Sequence, residues 1–273
     1  MSPCRLCPRR CGARRSAGEI GVCGAGAEPV VSSAFAHYGE ERVLSGRRGS
    51  GTIFFEGCGL RCVFCQNYDI SHFVSRSCVN REELVEMMLR LELAGCHNIN
   101  LVTPTHFAHI IAEAIPQARR RGLSIPTVYN CGGYESVETL RALEGLIDIY
   151  MPDVKFFDRG AARRYLQAAD YPSVVRAALV EMHRQVGDLV INSAGIAKRG
   201  LLVRHLVMPD FIEDSRAIVR FLSRVSRRTF LNVMGQYRPE GEAHRFPRIA
   251  RRPSYEEIAI VREEALRLGL RLG

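Results

Sequence analysis

The fold of this chain is decided by "GTIFFEGCGLRCVFCQN", residues 51–67, where a strand pattern runs directly into three cysteines. Residues 51–57 are rich in β-branched and aromatic side chains, which predicts a short buried strand. Cys58, Cys62 and Cys65 then follow at the spacing C-x3-C-x2-C. A closed zinc site takes four ligands and a disulfide takes two, so three thiolates favour a metal centre with one open position.

Further strand patterns occur along the rest of the chain, and amphipathic helical patterns separate them. These strands are predicted at residues 98–103, 125–131, 146–153, 201–209 and 229–237, with residues 187–195 as a candidate extension before the fifth strand of the series. Six strands alternating with helices predict an α/β fold with a parallel sheet. Because six strands are too few for a full eight-stranded barrel, we expect a partial open barrel or a doubly wound sheet.

Helix boundaries are marked by capping residues. Asn80 and Glu83 predict a capping box before a helix that Gly95 closes, and Ser254 with Glu257 predicts another. A third helix is predicted over residues 173–187. Met88 and Met182 lie on the apolar stripes of two of these helices, so we expect them in the core.

Composition limits the class of protein. The 273 residues are 47% hydrophobic and 25% charged, which is typical of a globular protein. No apolar run approaches the roughly 20 residues that span a bilayer, and the N-terminus lacks the apolar segment of a secretory signal. Ten clustered cysteines without an export signal indicate metal binding in a reducing cytoplasm. The net charge of +9 fits an acidic protein partner or simply an Arg-rich composition. Nucleic acid ranks below these as a partner, because the basic clusters lack interleaved aromatic residues.

Residues 1–26 are predicted to form a small cysteine-rich, metal-binding extension, ahead of a main domain at residues 27–273. Cys4, Cys7, Cys11 and Cys23 give the pattern C-x2-C-x3-C-x11-C. Four thiolates can close around zinc or hold an auxiliary [4Fe–4S] cluster, and the spacing leaves both metals open.

The motif "CGLRCVFCQN" resembles the C-x3-C-x-Φ-C signature of radical S-adenosylmethionine (SAM) enzymes, with Phe64 as the aromatic residue. The wider chain is similar to the pyruvate formate-lyase activating enzymes, and within them to a branch of uncharacterised iron–sulfur homologues. The likeness extends over "CRLCPRRCG", "GSGTIFFEGCGLRCVFCQNYDIS", "HNINLVTPTH", "DIYMPDVKF" and "NVMGQY". It implies a partial (β/α)6 barrel of the radical SAM type.

The resemblance also implies an activity. Cys58, Cys62 and Cys65 would hold a [4Fe–4S] cluster whose fourth iron binds SAM. Reductive cleavage of SAM would give a 5′-deoxyadenosyl radical that abstracts hydrogen from a substrate. A flavodoxin or ferredoxin would donate the electron, and a glycyl radical protein is a candidate substrate.

Strand-end residues are the candidates for binding SAM, because active residues gather at the C-terminal ends of parallel strands. Thr103 and Thr105 replace the Gly-Gly-Glu segment of the activating enzymes. Asp153 and Lys155 resemble the Asp-x-Lys of the same enzymes, which implies contacts with the SAM ribose and carboxylate. The remaining candidates are Phe64, Asn67, Asn130, Arg204 and Gln236, of which Asn130 and Gln236 depart from the family pattern.

Several alternatives stay open at this point. The three-cysteine loop could hold zinc with His72 or Cys78 as a fourth ligand. The enzyme could modify a small molecule or a peptide instead of activating a glycyl radical protein. A protein of a different class, a non-catalytic zinc-stabilised nucleic-acid-binding protein, also fits the charge. Cys78, Cys96 and Cys131 are predicted to be small apolar residues, and His106 and Tyr134 to line the substrate side or to pack.

Overall fold

The computed structural model describes residues 3–75 and 77–273. In this part of the chain, nine strands form one sheet. They are β1 (Val31–His37), β2 (Ser50–Phe55), β3 (Ile99–Val102), β4 (Thr127–Cys131), β5 (Ile149–Val154), β6 (Val190–Ile191), β7 (Ala197–Leu206), β8 (Phe230–Met234) and β9 (Arg271–Leu272). The α-helices are α1 (Arg42–Ser45), α2 (Tyr68–His72), α3 (Arg81–Leu93), α4 (Ala108–Arg120), α5 (Val137–Ala142), α6 (Arg159–Leu166), α7 (Tyr171–Val186), α8 (Ile212–Val225) and α9 (Tyr255–Arg267).

The sheet is mainly parallel. Its strand order is β1-β2-β3-β4-β5-β7-β8-β9, and β6 pairs with β7 outside this path. Only the β1–β2 and β6–β7 pairs are antiparallel among the described strands. The prediction of an α/β protein with a parallel sheet is therefore confirmed.

The six strands of the predicted series correspond to β2, β3, β4, β5, β7 and β8, and the extension at residues 187–195 contains β6. Sequence reasoning missed β1 and β9. The sequence of β1 is "VSSAFAH", and most of its residues are exposed or half-buried, so it lacks the apolar run that marks the other strands. β9 has only two residues.

The predicted helix boundaries are confirmed by their caps. The Asn80 side chain accepts from the Glu83 amide, and the Glu83 carboxylate accepts from the Asn80 amide at the start of α3. Ser254 and Glu257 form the same reciprocal pair before α9. Met88 and Met182 are fully buried, as the helical stripes predict.

The two faces of the sheet are covered differently. One face packs its apolar residues, including Ile53, Leu101 and Tyr129, together with the buried residues of the long helices in the main core. On the other face, Val128, Ile149, Leu202 and Phe230 form a separate apolar cluster with Leu44 of α1. We call this second surface the inner face.

Polar side chains occupy the inner face beyond this cluster. Because side chains alternate along a strand, Asn130 shares the face of Val128, Arg204 that of Leu202, and Asn232 that of Phe230. Asp153 is paired with Arg204, and Arg204 with Asn232, in the parallel registers. Residues from three strands therefore meet on this face.

Residues 3–26 contain a short 3-10 helix, Arg15–Ala17, and pack against the rest of the protein. The Thr139 hydroxyl donates to the Leu6 carbonyl at 2.6 Å, and the Arg15 guanidinium donates to the His106 carbonyl at 2.6 Å. Among the helices of the described residues, none combines the length and apolar character needed to cross a membrane.

Candidate functional site

The three-cysteine loop follows β2 at the C-terminal edge of the parallel strands. Gly57 begins it with a φ of +82°, a backbone conformation that favours glycine. The loop is held by backbone hydrogen bonds from Cys58 N to Cys23 O at 3.1 Å and from Val63 N to Tyr165 O at 3.0 Å. These bonds attach the loop to the N-terminal extension on one side and to α6 on the other.

The loop places the thiols of Cys58 and Cys62 where burial disfavours their ionised forms. Burial raises the pKa of the Cys58 thiol well above its usual range and that of Cys62 to about 12, and their neighbouring thiols raise both further. The charge of Lys155 acts in the opposite direction on both groups. The Ser71 hydroxyl donates to the Cys65 sulfur at 3.2 Å. A bound cation would release these protons and stabilise the thiolates, so the donor set suits a thiolate-bound metal.

Lys155 links the cysteine loop to an ion-pair network on the inner face. Its ammonium group donates to Asp153 at 3.1 Å, and Arg204 donates to the other carboxylate oxygen of Asp153 at 2.7 Å. Burial favours the neutral carboxyl, but the charges of Arg204 and Lys155 outweigh it and hold the pKa of Asp153 below its ordinary value. Burial alone would lower the pKa of Lys155, but the negative charges of Asp153 and the Cys62 thiolate outweigh this and raise it above its ordinary value. Both groups are therefore charged at neutral pH.

Arg204 is the centre of this network. Besides Asp153, it donates to Glu40 at 3.0 Å and to the side-chain oxygen of Asn130 at 2.9 Å. The three acceptors use the planar fork of the guanidinium group, which a lysine could not reproduce. Arg204 and Glu40 are only 15% and 9% exposed, so their charges depend on each other.

A second set of polar contacts reaches the inner face from the β1–β2 connection. Glu40 accepts from the Asn100 side chain at 2.9 Å, and Glu41 accepts from Asn232 at 2.8 Å. Burial raises the pKa of Glu41, although Asn232 and the charge of Arg204 oppose the shift. The connection therefore supplies two carboxylates to a surface formed mainly by parallel strands.

Tyr171 of α7 fixes the backbone that carries Lys155. Its hydroxyl donates toward the carbonyls of Gly132 and Asp153, at 3.0 and 2.9 Å, and accepts from the Lys155 amide at 3.1 Å. Gly132 directly follows β4, and Asp153 lies near the end of the neighbouring strand β5. One buried hydroxyl thus joins two strand ends beside the cysteine loop.

The structure brings together four of the predicted residues that bear polar side chains: Asn130, Asp153, Lys155 and Arg204. The others lie apart from this network. Phe64 is buried with its ring edge-to-face against Phe156 and Tyr237, at centroid distances of 6.0 and 5.9 Å. Asn67 is exposed at the start of α2, and Gln236 is exposed after β8.

The two threonines after β3 have different environments. Thr103 adopts a φ of +58°, which is strained for a β-branched residue, and its amide donates to the Asn130 carbonyl at 2.8 Å. The Thr105 hydroxyl donates to the buried Glu135 at 2.6 Å, and the Tyr129 hydroxyl donates to the same carboxyl at 3.1 Å. Burial raises the pKa of Glu135 to about 7, against these hydrogen bonds.

The remaining residues singled out from the sequence are mostly packed. The ring of His106 is buried with Nε2 2.7 Å from the Glu56 carbonyl, and burial lowers its pKa to about 4. The Tyr134 hydroxyl donates to Asp170 at 2.8 Å. Cys96 and Cys131 are buried as predicted, whereas Cys78 is exposed.

Sequence reasoning missed Glu40, Glu41, Asn100, Asn232 and Tyr171. For Asn100 and Asn232, a signal was present, since each is a polar residue inside an apolar strand. The two glutamates lie in a connection without a motif, and Tyr171 lies in a helix whose pattern only indicates burial.

The ten cysteines are all free thiols. Backbone hydrogen bonds of Cys4 with residues 12 and 13, both at 3.1 Å, hold it beside Cys11. Within residues 3–75 and 77–273, no three His, Cys, Asp or Glu side chains are arranged to hold a metal ion. Metal binding at either group of cysteines would therefore require rotation of the thiols toward a common centre.

The fold and these contacts define an α/β protein with a cysteine loop and an ion-pair network at the same edge of a parallel sheet. The chain is 33% identical over 273 aligned residues to the uncharacterized protein MJ0674 of Methanocaldococcus jannaschii, covering 97% of this chain and 73% of the relative. It belongs to the family of that protein. A second relative, the uncharacterized protein MJ0808 of the same organism, is 25% identical over 247 residues, covering 80% of this chain and 65% of the relative. No family model matches the sequence.

Proposed function

We propose that the protein is a radical SAM enzyme with a partial (β/α)6 barrel, in which Cys58, Cys62 and Cys65 hold a [4Fe–4S] cluster. The observation that carries the proposal is the position of Lys155, whose charge acts on the Cys58 and Cys62 thiols while its ammonium group donates to Asp153. One ammonium group beside three thiols, next to a carboxylate fixed by Arg204, offers complementary groups to a zwitterionic sulfonium ligand.

The number and kind of the donor side chains suit such a group once the thiols rotate toward a common centre. Three thiols are fewer than a closed zinc site needs, and the loop that carries them lies where active residues gather in parallel α/β folds. When bound, the cluster with SAM supplies one electron that cleaves the S–C5′ bond and yields a 5′-deoxyadenosyl radical. Cysteine-held clusters reach reduction potentials down to about −700 mV, which suits this cleavage.

The protein's own residues would bind and orient. Lys155 is the candidate for the SAM carboxylate, because it is charged and only 13% exposed. Asp153 and Asn130 are candidates for the ribose hydroxyls, and Arg204 holds both in place through its own hydrogen bonds. Phe64 packs the loop against Phe156 and so helps to exclude water.

The electron donor in this proposal is a reduced flavodoxin or ferredoxin, whose acidic surface would suit the net charge of +9. A glycyl radical protein is the proposed substrate. An enzyme that modifies a small molecule or peptide would use the same cleavage step. The two alternatives differ in the molecule from which the 5′-deoxyadenosyl radical abstracts hydrogen.

The test is anaerobic. Reconstituted wild-type protein should bind about four irons and four sulfides in the loop, and with dithionite it should convert SAM to 5′-deoxyadenosine. The variant Cys58→Ala/Cys62→Ala/Cys65→Ala should lose these irons and the cleavage, whereas the matched control Cys96→Ala should keep both. Wild-type protein that holds zinc alone, or that leaves SAM intact under dithionite, would overturn the proposal.

Lys155 provides a sharper test of the SAM contact. Lys155→Ala should retain the cluster irons but bind SAM about tenfold more weakly. The variant loses a charge-assisted hydrogen bond to the SAM carboxylate, and a loss of about 1.4 kcal/mol corresponds to a factor of ten in affinity. The matched control Lys198→Ala removes an exposed lysine at the opposite end of β7 from Arg204 and should leave SAM binding unchanged. Equal SAM affinities for Lys155→Ala and wild type would remove the assigned role of Lys155.

A further inference from the structure

The four cysteines of residues 4–23 form a second group of thiols, separate in sequence from the three-cysteine loop. We call Cys4, Cys7, Cys11 and Cys23 the N-terminal thiol group. Three of its side chains are 7–8% exposed, and Cys11 is half-buried. Gly21 lies against two of them, since a Cβ atom there would be 3.3 Å from the Cys23 sulfur and 3.5 Å from the Cys11 sulfur.

Backbone hydrogen bonds join the parts of the segment that carry these cysteines. The Cys4 amide donates to the Ala13 carbonyl and the Gly12 amide donates to the Cys4 carbonyl, both at 3.1 Å. The Gly21 amide donates to the Ala25 carbonyl at 3.0 Å and closes a turn around Cys23. These bonds hold Cys4 beside residues 12–13, next to Cys11, in a segment whose four thiols are the ligands that zinc and iron–sulfur clusters take.

The segment has only a small apolar core of its own. Its own apolar cluster consists of Cys4, Leu6 and Ala13, with Cys11 packed against it. No disulfide is present among the ten cysteines, which are all free thiols. A segment with so small a core is ordinarily stabilised by a cross-link or a metal.

The N-terminal thiol group contacts the three-cysteine loop directly. The carbonyl of Cys23 accepts from the Cys58 amide at 3.1 Å, and the Arg9 guanidinium donates to the Gly59 carbonyl at 2.8 Å. A Cβ atom at Gly59 would lie 3.6 Å from the Cys7 sulfur, and one at Gly57 only 2.5 Å from the Cys23 carbonyl. The order of one segment therefore constrains the other.

We propose that Cys4, Cys7, Cys11 and Cys23 bind a second metal–thiolate centre, and that its occupancy fixes the conformation of the three-cysteine loop through the Cys23–Cys58 and Arg9–Gly59 hydrogen bonds. The ligand class is a thiophilic metal, either one Zn²⁺ or an iron–sulfur cluster, because both accept four thiolates. The metal-binding half of the proposal is independent of the proposed function. The coupling half rests on the proposed function, because the loop whose conformation would be fixed is the proposed cluster site.

The first experiment measures metal in the variant Cys58→Ala/Cys62→Ala/Cys65→Ala, so that only the N-terminal thiol group can contribute. The variant is reconstituted anaerobically with Zn²⁺ in one sample and with iron and sulfide in another, and both are counted after desalting. About one zinc or about four irons per chain supports the proposal and identifies the metal. Loss of that metal on adding Cys4→Ala/Cys11→Ala supports the ligand assignment, and absence of tight metal in both samples overturns the proposal.

The second experiment measures the coupling by amide hydrogen exchange over residues 57–65. In Cys4→Ala/Cys11→Ala, with Cys58, Cys62 and Cys65 intact, exchange of the Cys58 amide should accelerate at least tenfold relative to wild type. The control Leu93→Ala removes an exposed side chain outside both groups and should leave exchange unchanged. Unchanged protection in Cys4→Ala/Cys11→Ala overturns the coupling.

These outcomes separate the two proposals. If the N-terminal thiol group binds metal but the wild type leaves SAM intact, the proposed function fails while this inference stands. If SAM is cleaved and the triple variant holds no metal, the reverse is true.

Discussion

Gly57 is the position where the contact between the N-terminal extension and the cysteine loop can be measured most directly. Its φ is +82°, and a Cβ atom would lie 2.5 Å from the Cys23 carbonyl oxygen. Gly95 provides a matched control, because it has a φ of +88° and nothing within 4 Å of its Cβ position. Substitution by alanine imposes the same left-handed backbone on both residues, but only Gly57 adds a collision with backbone.

The expected losses in the free energy of unfolding follow from these two effects, the left-handed backbone and the collision. Gly95→Ala should lower the free energy of unfolding by about 1 kcal/mol, the cost of a Cβ atom in the left-handed region less the gain from a stiffer unfolded chain. Gly57→Ala adds overpacking of about 1–3 kcal/mol, because a backbone carbonyl cannot move aside as a flexible side chain can. We therefore expect Gly57→Ala to be the less stable variant by about 1–3 kcal/mol.

The assay is urea unfolding in reductant, with equal metal content in all samples. The chain has nine tyrosines and no tryptophan, so tyrosine fluorescence and far-UV circular dichroism are the two probes. Coincident transitions would justify two-state free energies for a chain of this size. If both alanine variants lost equal stability within about 0.5 kcal/mol, the extension would not press on the loop at Gly57.

Three further substitutions test the interior. Arg204→Met should cost about 3–5 kcal/mol in urea unfolding, because it leaves the nearly buried Glu40 without its partner, and a loss under about 1 kcal/mol would contradict the network. Glu135→Gln should gain up to about 3 kcal/mol relative to wild type between pH 5 and pH 8. The reason is that the folded carboxyl keeps its proton up to a pKa of about 7, whereas the unfolded one ionises near 4.5, so wild type loses stability as pH rises through this window. A pH-independent difference between the urea midpoints would be inconsistent with that pKa. Tyr171→Phe should cost about 1–3 kcal/mol and speed exchange of the Lys155 amide, since that amide and two carbonyls lose a buried partner, and an unaltered Lys155 exchange rate would argue against the contact.

The parallel sheet and the positions of Cys58, Asp153 and Lys155 at strand ends could be predicted from the sequence. These features depend on local patterns, because a strand's period and its terminating residues lie within about ten residues of each other. The edge strand β1 escaped prediction because "VSSAFAH" carries no buried apolar run.

The partners of the predicted residues could not be read from local patterns. Glu40 meets Arg204 across 164 positions of sequence, and Glu41 meets Asn232 across 191. Thr105 was predicted at the correct strand end, but its hydroxyl points to Glu135, a direction that spacing does not encode. Long-range pairing of this kind is set by the whole fold and has no signature in a short motif.

The connection between β1 and β2 is a poor site for inserting foreign sequence into this protein. Connections between antiparallel strands ordinarily tolerate insertions. Here Glu40, Glu41 and Leu44 enter the interior, so added residues between 40 and 45 would pull two carboxylates away from Arg204 and Asn232. The exposed turn at residues 192–195 makes hydrogen bonds mainly within itself and is the better point for a tag or a fused reporter.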